Sequence, residues 1–288
     1  MDRAFQVTDA HRADYARLGA VRLAGAIPLA WVARLRDAFE AVMAASERPD
    51  FDANDFASPT QNALNIRRGP SDVMATNMVP AHPDFVAFVR DSDMARIVAD
   101  LVGSERLRFW IDAVFEKRGP AGEGATPWHH DICTWPFWGE QMPILWVPLT
   151  DVGPEDAPLV TLDGSHSGGV RYHSPFSNQN VEIRPPYRPW DELMAAALAP
   201  DAPTRAWPMP AGDCLVMHPA IVHSSRPWRQ GHPGRRLAIS LRWLGDDVRW
   251  DPDEFAVPIP KLDSNPLMRR GAPPPDELFP PVWPRADA

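Results

Sequence analysis

His129 and Asp131, two residues apart in Pro127-Trp128-His129-His130-Asp131, can hold a divalent metal through one imidazole and one carboxylate. Joined by a distant histidine, such a pair is the 2-His-1-carboxylate facial triad of non-haem Fe(II) sites. That triad leaves three adjacent positions of an octahedral ion open, two for a bidentate 2-oxo acid and one for O2. The third ligand has two candidates, His218 and His223, both in the segment 212–225. Their separation is odd, so a straight strand turns them to opposite faces. Pro219 interrupts that strand, and spacing alone leaves both open.

A His-x-Asp match is weak in isolation. With nine histidines in 288 residues, roughly half a match arises by composition. A second copy exists, His82-Pro83-Asp84. Pro83 is ill suited to a strand interior, and Asp84 stands where it caps the helix starting at Phe85, so that copy reads as structural. The copy at His129 follows a glycine-rich loop, Gly119 to Gly124, and opens the aromatic segment Trp135-Pro136-Phe137-Trp138. In an extended segment, residues i and i+2 share a face, so His129 and Asp131 point inward and His130 outward.

The elements that position these residues fall into two groups. Thr8 to Leu18 reads as a helix capped by Thr8, Gly19 to Ala24 as a strand, and Pro28 to Ala45 as a helix with Trp31, Leu35, Ala38, Phe39 and Val42 at helical spacing. Residues 48–80 read as loop with short elements, and Asp84 to Leu101 as one further helix. From Arg106 the character changes to short apolar or alternating runs: Arg106–Lys117, Met142–Leu149, Leu159–Leu162, Asp213–Met217 and Arg236–Trp243. Turn residues separate them, as at Gly153-Pro154 and Asp163-Gly164-Ser165. Helices followed by many short strands suggest a mainly β protein, an all-β barrel or jelly roll with a helical N-terminal flank. The expected organisation is a single domain over 1–288: a mostly helical flank (1–105), a jelly-roll core (106–248) and an irregular tail (249–288) wrapping the surface.

Composition narrows the function classes. Lys+Arg is 29 against Asp+Glu 38, a net charge of -9, which disfavours nucleic acid and anionic membranes as partners. No secretory signal and no run of about 18 apolar residues is visible. Two cysteines, Cys133 and Cys214, make no disulfide framework, so a reducing, cytoplasmic setting is expected. The expected assembly is a monomer or homodimer.

The motifs taken together resemble the phytanoyl-CoA dioxygenase family of Fe(II)/2-oxoglutarate oxygenases. Lys117, Pro127-Trp128-His129-x-Asp131, Leu145-Trp146-Val147-Pro148-Leu149, Gly164-Ser165-His166, Gly212-Asp213-x4-His218-x4-His223-x-Ser225 and Arg236 carry the resemblance, over most of the chain. The ending Arg242-Trp243-Leu244-Gly245-Asp246-Asp247 resembles a bacterial branch. The resemblance implies a double-stranded β-helix, the cupin-like jelly-roll core. It implies His129, Asp131 and His223 as metal ligands, His223 being the histidine followed by x-Ser and then the basic residue. Arg236 matches the arginine that grips the distal carboxylate of 2-oxoglutarate, a role suited to a bidentate guanidinium. Adjacent Arg235 is the fallback. Trp146 matches a wall of the cosubstrate pocket, Ser225 a further hydrogen bond to it, and Lys117 its mouth.

The implied reaction consumes 2-oxoglutarate and O2, releases succinate and CO2, and hydroxylates an unactivated C–H of a small organic metabolite. Retention of Asp131 favours hydroxylation over halogenation, which on this fold dispenses with the carboxylate. Three departures bear on the substrate pocket: His130 stands where the family usually has Gln, Arg226-Pro227-Trp228 stands where an Asn is usual, and Ala157-Pro158-Leu159 replaces a Gly. Trp135, Phe137 and Trp138 are pocket walls or barrel-edge packing, Cys133 a small buried hydrophobe, His166 a turn residue. His130 either positions a water or substrate or faces solvent. The competing class is a metal-binding barrel on the same fold, non-catalytic or hydrolytic, for which Arg236 has no use.

Overall fold

Thr8 opens the first helix: its hydroxyl accepts from the His11 N–H at 3.2 Å, and His11 Nδ1 accepts from the Thr8 N–H. The computed structural model describes residues 4–119, 125–169, 171–173, 181–185 and 187–285, so most of the glycine-rich loop before His129 lies outside the described residues. In chain order come α1 (Asp9–Leu18), β1 (Ala20–Leu23), α2 (Leu29–Ala45), β2 (Asn65–Arg68), β3 (Asp72–Thr76), α3 (Pro83–Asp91) and α4 (Met94–Val102). The strand-rich part holds β4 (Leu107–Arg118), β5 (Phe137–Trp138), β6 (Ile144–Pro148), β7 (Leu159–Leu162), β8 (Arg171–Tyr172) and β9 (Tyr187–Arg188). It continues with α5 (Trp190–Ala197), β10 (Thr204–Trp207), β11 (Cys214–Met217), β12 (His223–Ser225), β13 (Arg235–Leu244), β14 (Arg249–Trp250), α6 (Pro260–Asp263) and β15 (Pro281–Trp283).

One large antiparallel sheet runs β1-β11-β6-β13-β4-β3-β2, with β15 also on β4. A smaller sheet runs β10-β7-β12. The architecture is a cupin-like jelly roll whose large sheet is not closed. Alternation along the strands divides the core in two. Leu237, Ile239, Leu241 and Trp243 of β13, with Leu145 and Val147 of β6, pack on the helical side against Leu35, Phe39, Phe85 and Phe88. Burying such side chains contributes about 2 kcal/mol each. The opposite faces, with Trp146, Leu215 and Ala238, pack together with Leu159 of the smaller sheet. On β13 that alternation sends Arg236, Ser240 and Arg242 to the inner side, where they line a cavity.

Three expectations need correction. The single helix over Asp84–Leu101 is two, α3 and α4, because Ser92 is extended (φ -75, ψ 162); its hydroxyl donates to Phe88 O and accepts from Met94 N. Asp84 does not cap α3: His82 does, its Nδ1 accepting from Asp84 N at 3.2 Å, while Asp84 pairs with Arg34. The tail does more than wrap the surface. Phe255, Leu262 and Phe279 are buried, and Val257, Pro258 and Ile259 line the cavity.

Candidate active site

His129 and His223 face each other across an antiparallel bridge, His129 N donating to His223 O at 2.9 Å and His223 N to His129 O at 2.7 Å. Residues exchanging both backbone bonds point their side chains the same way, and the two imidazoles lie with centroids 4.2 Å apart. The chain then leaves the extended conformation: Asp131 is at φ -76, ψ -34 and opens a 3-10 turn, Ile132–Thr134. Its carboxylate reaches back, Oδ1 lying 3.4 Å from His129 Nε2 and 4.0 Å from His223 Nε2. One ligand atom from each of the three residues falls within 4.8 Å of the others. His129 Nδ1 bonds Pro127 O at 2.7 Å and His223 Nδ1 bonds Ile221 O at 3.0 Å. Those carbonyls need Nδ1–H, so each neutral ring presents its Nε2 lone pair to the centre. Two imidazole nitrogens and one carboxylate fit a divalent transition metal.

Charge state follows from burial and neighbours. Burial alone raises the Asp131 carboxyl, but His129, Arg242 and His223 outweigh it and hold it well below the usual carboxylate range. Burial brings the His223 imidazole down to about 4, so it is neutral at pH 7. Arg242 Nη2 lies 3.2 Å from Asp131 Oδ2, which leaves Oδ1 turned to the histidines. The expectation for this segment rested on the His-x-Asp pair; Arg242 entered only through the ending Arg242–Asp247, with no role at the site, although it shares the even spacing of Arg236 along the same run.

The strand decides between Arg235 and Arg236. Arg235 bonds Glu116 and Glu40, each at 2.5 Å. Arg236 turns to the cavity, 3% exposed. Its Nη1 donates to Ala157 O, its Nε has no partner, and no carboxylate pairs with it among the described residues. Burial, opposed by Asp156, brings its guanidinium down to about 10, which leaves it charged at pH 7. A buried, unpaired cation is costly, and a ligand carboxylate removes that cost. Trp146 of β6 also lines the cavity. Lys117 stands opposite Arg236 across the β4–β13 ladder, and burial followed by Arg236 brings its amine down to about 8. Ser225 Oγ accepts from Thr126 N at 3.0 Å and lies 3.4 Å from Lys117 Nζ. Of this group Thr126, rather than Ser225, lines the cavity.

His218 lies elsewhere: its Nε2 is 3.0 Å from Glu140 Oε2, and its ring packs near Tyr15 and His166. His166 is a turn residue whose Nε2 meets Ala16 O. The outward reading of His130 is overturned. The ring is 1% exposed, with Nε2 2.9 Å from Tyr172 O, because the segment bends after His129 instead of running straight. The aromatic run divides: Trp135 lines the cavity, Phe137 is fully buried beside Trp110 and Trp250, and Trp138 stacks under Arg171. Cys133 is buried, as expected.

The cavity holding the triad, Arg236 and Arg242 measures about 510 Å³ and lies between the two sheets. Part of its wall comes from residues 60–77 and from 257–259, segments without periodicity and therefore silent in the sequence. Among the described residues, no helix is long and apolar enough to cross a membrane.

The sequence profile of phytanoyl-CoA dioxygenase (PhyH) matches residues 15–237. No curated protein sequence matches the chain. Among solved structures, SnoK, a non-heme alpha ketoglutarate dependent carbocyclase from nogalamycin biosynthesis, superposes with TM-score 0.69 at 21% identity, covering 97% of this chain and 98% of that one. The epimerase SnoN, in complex with Fe3+, alpha ketoglutarate and nogalamycin RO, gives TM-score 0.67 at 22% identity over 95% and 98% of the chains. EctD from S. alaskensis, with 2-oxoglutarate and 5-hydroxyectoine, gives 0.64 at 19% over 95% and 87%. At these identities the likeness establishes the shared fold.

Proposed function

The chain belongs to the phytanoyl-CoA dioxygenase family, and from that premise we propose that it is an Fe(II)/2-oxoglutarate-dependent dioxygenase hydroxylating an unactivated C–H of a small organic molecule. The observation that carries this reading is Arg236: a buried guanidinium with no carboxylate partner among the described residues, in the same cavity as a His-Asp-His triad. His129, Asp131 and His223 are the residues to hold the metal. When bound, Fe(II) with 2-oxoglutarate and O2 supplies the oxidising power, with release of succinate and CO2.

The chain's own contribution is positional and electrostatic. His129 and His223 offer Nε2 because their Nδ1 atoms are tied to backbone carbonyls. Asp131 stays ionised at neutral pH and keeps its orientation through Arg242. Arg236 takes the distal carboxylate of the cosubstrate as a fork-shaped donor. Trp146 walls the same cavity, and Lys117, opposite Arg236 on the ladder and 3.4 Å from Ser225 Oγ, adds positive charge near that end. Apolar walls such as Trp135, Met217 and Ile259 limit water in the cavity. A hydrolytic or non-catalytic metal-binding barrel is the alternative, and it gives the cost of burying Arg236 no purpose.

The test is an anaerobic titration with Fe(II) and then 2-oxoglutarate, following the weak visible charge-transfer band of the chelate. The band is expected in the wild type and lost in Asp131→Ala and Arg236→Ala. A folded, iron-loaded protein with no band refutes the proposal. SnoN and SnoK bear the names epimerase and carbocyclase, so product analysis by mass spectrometry must then separate hydroxylation from ring formation or epimerisation.

A further inference from the structure

Two arginines line the cavity without a carboxylate partner among the described residues, Arg236 and Arg67. The carboxylates that line it are committed elsewhere. Asp131 faces the triad histidines and Arg242, and the oxygens of Asp112 accept from Met78 N and Val79 N. With the distal carboxylate of 2-oxoglutarate on Arg236, Arg67 is the cation that remains.

The ladder fixes where Arg67 points. It stands opposite Met74 of β3, Met74 stands opposite Phe115 of β4, and Phe115 opposite Ala238 of β13. Directly opposed residues share a face of the sheet, and Met74 and Phe115 line the cavity with Arg67. The neighbours of Arg67 on β2 turn the other way. Ile66 packs with the helical-side core, and Arg68 Nη2 donates to Ser46 Oγ, at the end of α2, at 2.7 Å. The guanidinium of Arg67 lies along its row, Nη2 at 3.3 Å from Met74 Sδ, a weak acceptor. Asp72 occupies the next row of that face, opposite Lys117, and does not pair with Arg67. An exposed arginine commonly has no partner; this one is set apart by the face and the row it occupies. Because β2 ends the sheet, Arg67 stands at the rim of the cavity, three strand spacings or about 14 Å from β13.

We propose that Arg67 anchors the substrate, and that the substrate is a small molecule with an apolar body and a terminal carboxylate. The carboxylate takes the guanidinium fork at the rim, a geometry the two groups share. The apolar body lies over Met74 and Phe115 and reaches toward the triad. The proposal rests on the oxygenase reading for the identity of the cavity as an active site, while the placement of Arg67 stands on the ladder alone.

The experiment is anaerobic titration calorimetry on the full chain loaded with Fe(II) and saturating 2-oxoglutarate, with the chelate band recorded alongside. The probes are phenylacetate, 4-phenylbutanoate and 6-phenylhexanoate, each compared with its primary amide, which keeps the shape and removes the charge. At least one carboxylate is expected to bind about fivefold tighter than its amide while the band persists, as for a partly exposed ion pair. Arg67→Gln should erase that preference, Arg67→Lys should keep part of it, and Arg68→Gln, on the other face, should keep all of it. With the band formed, equal binding of every carboxylate and its amide, or binding of no probe, overturns the anchor and leaves the oxygenase reading intact. So does a preference that persists in Arg67→Gln, or one that appears only as the band fades, since the probe is then at Arg236 or the metal. An Arg67-dependent preference without any chelate band sustains the anchor and overturns the oxygenase reading. The wild-type comparison needs no variant, and the band in Arg67→Gln reports that its site is intact.

Discussion

Replacing Arg236 by Met is expected to stabilise the protein while destroying cosubstrate binding. Arg236 is 3% exposed and has no carboxylate partner among the described residues, and burial brings its guanidinium down to about 10 from its ordinary value. That depression corresponds to about 3 kcal/mol of native-state cost at pH 7. Methionine has comparable length, carries no charge and adapts to an irregular space. It gives up one charge-assisted hydrogen bond, from Nη1 to Ala157 O, worth about 2 kcal/mol. The net expectation for the cosubstrate-free protein is a gain of about 1 kcal/mol, or about 2–4 °C in Tm. Affinity for 2-oxoglutarate should fall about 30-fold or more, because truncating one partner of a buried charge pair costs about 2–5 kcal/mol. Urea unfolding of the metal-free protein measures the first effect, and the chelate band at increasing 2-oxoglutarate the second. A variant that is less stable than the wild type and binds 2-oxoglutarate equally well would refute the reasoning.

Other outcomes follow from neighbouring residues. His223→Ala should abolish Fe(II) binding by calorimetry, whereas His218→Ala, 3.0 Å from Glu140 and outside the triad, should retain it. Arg242→Met frees Asp131 Oδ2 and should weaken Fe(II) binding about 10- to 100-fold, as loss of a ligand's supporting bond does. Asp112, whose oxygens accept from Met78 N and Val79 N, is pushed up by burial to about 6. Between its unfolded value near 3.9 and about 6 the native state holds a proton that the unfolded chain has released. Its contribution to stability is therefore complete at the acid end and falls by about 3 kcal/mol as pH rises through that window. Urea unfolding of Asp112→Asn from pH 4 to 6.5 should show a correspondingly flatter profile.

The helical flank and the strand-rich character of the later chain were legible in the sequence, because hydrophobic spacing is a local property. Thr8, Pro28 and the alternation over Arg236–Trp243 sufficed to place a helical flank and a strand-rich core. His129, Asp131 and Arg236 stood out by type and spacing. The choice of His223 over His218 came from the ordered motif, and the structure supplies the physical reason: the backbone bridge to His129 turns one inward, while Pro219 and Glu140 hold the other away. His130 was misread because an i, i+2 argument presumes a straight strand, and the bend at Asp131 depends on the contact of Ile132 N with Pro219 O, far away in sequence. The break at Ser92 escaped for a similar reason, a side chain bonding the backbone within an otherwise periodic helix. Arg242, Gln61, Asn77 and Val257 became cavity residues only in three dimensions. The sequence by itself determined the donor types offered at the candidate site, two imidazoles and a carboxylate, since residue type carries them. The tertiary structure decided which side chains face the cavity and which segments wall it, because those depend on contacts between segments whose separation no local pattern records.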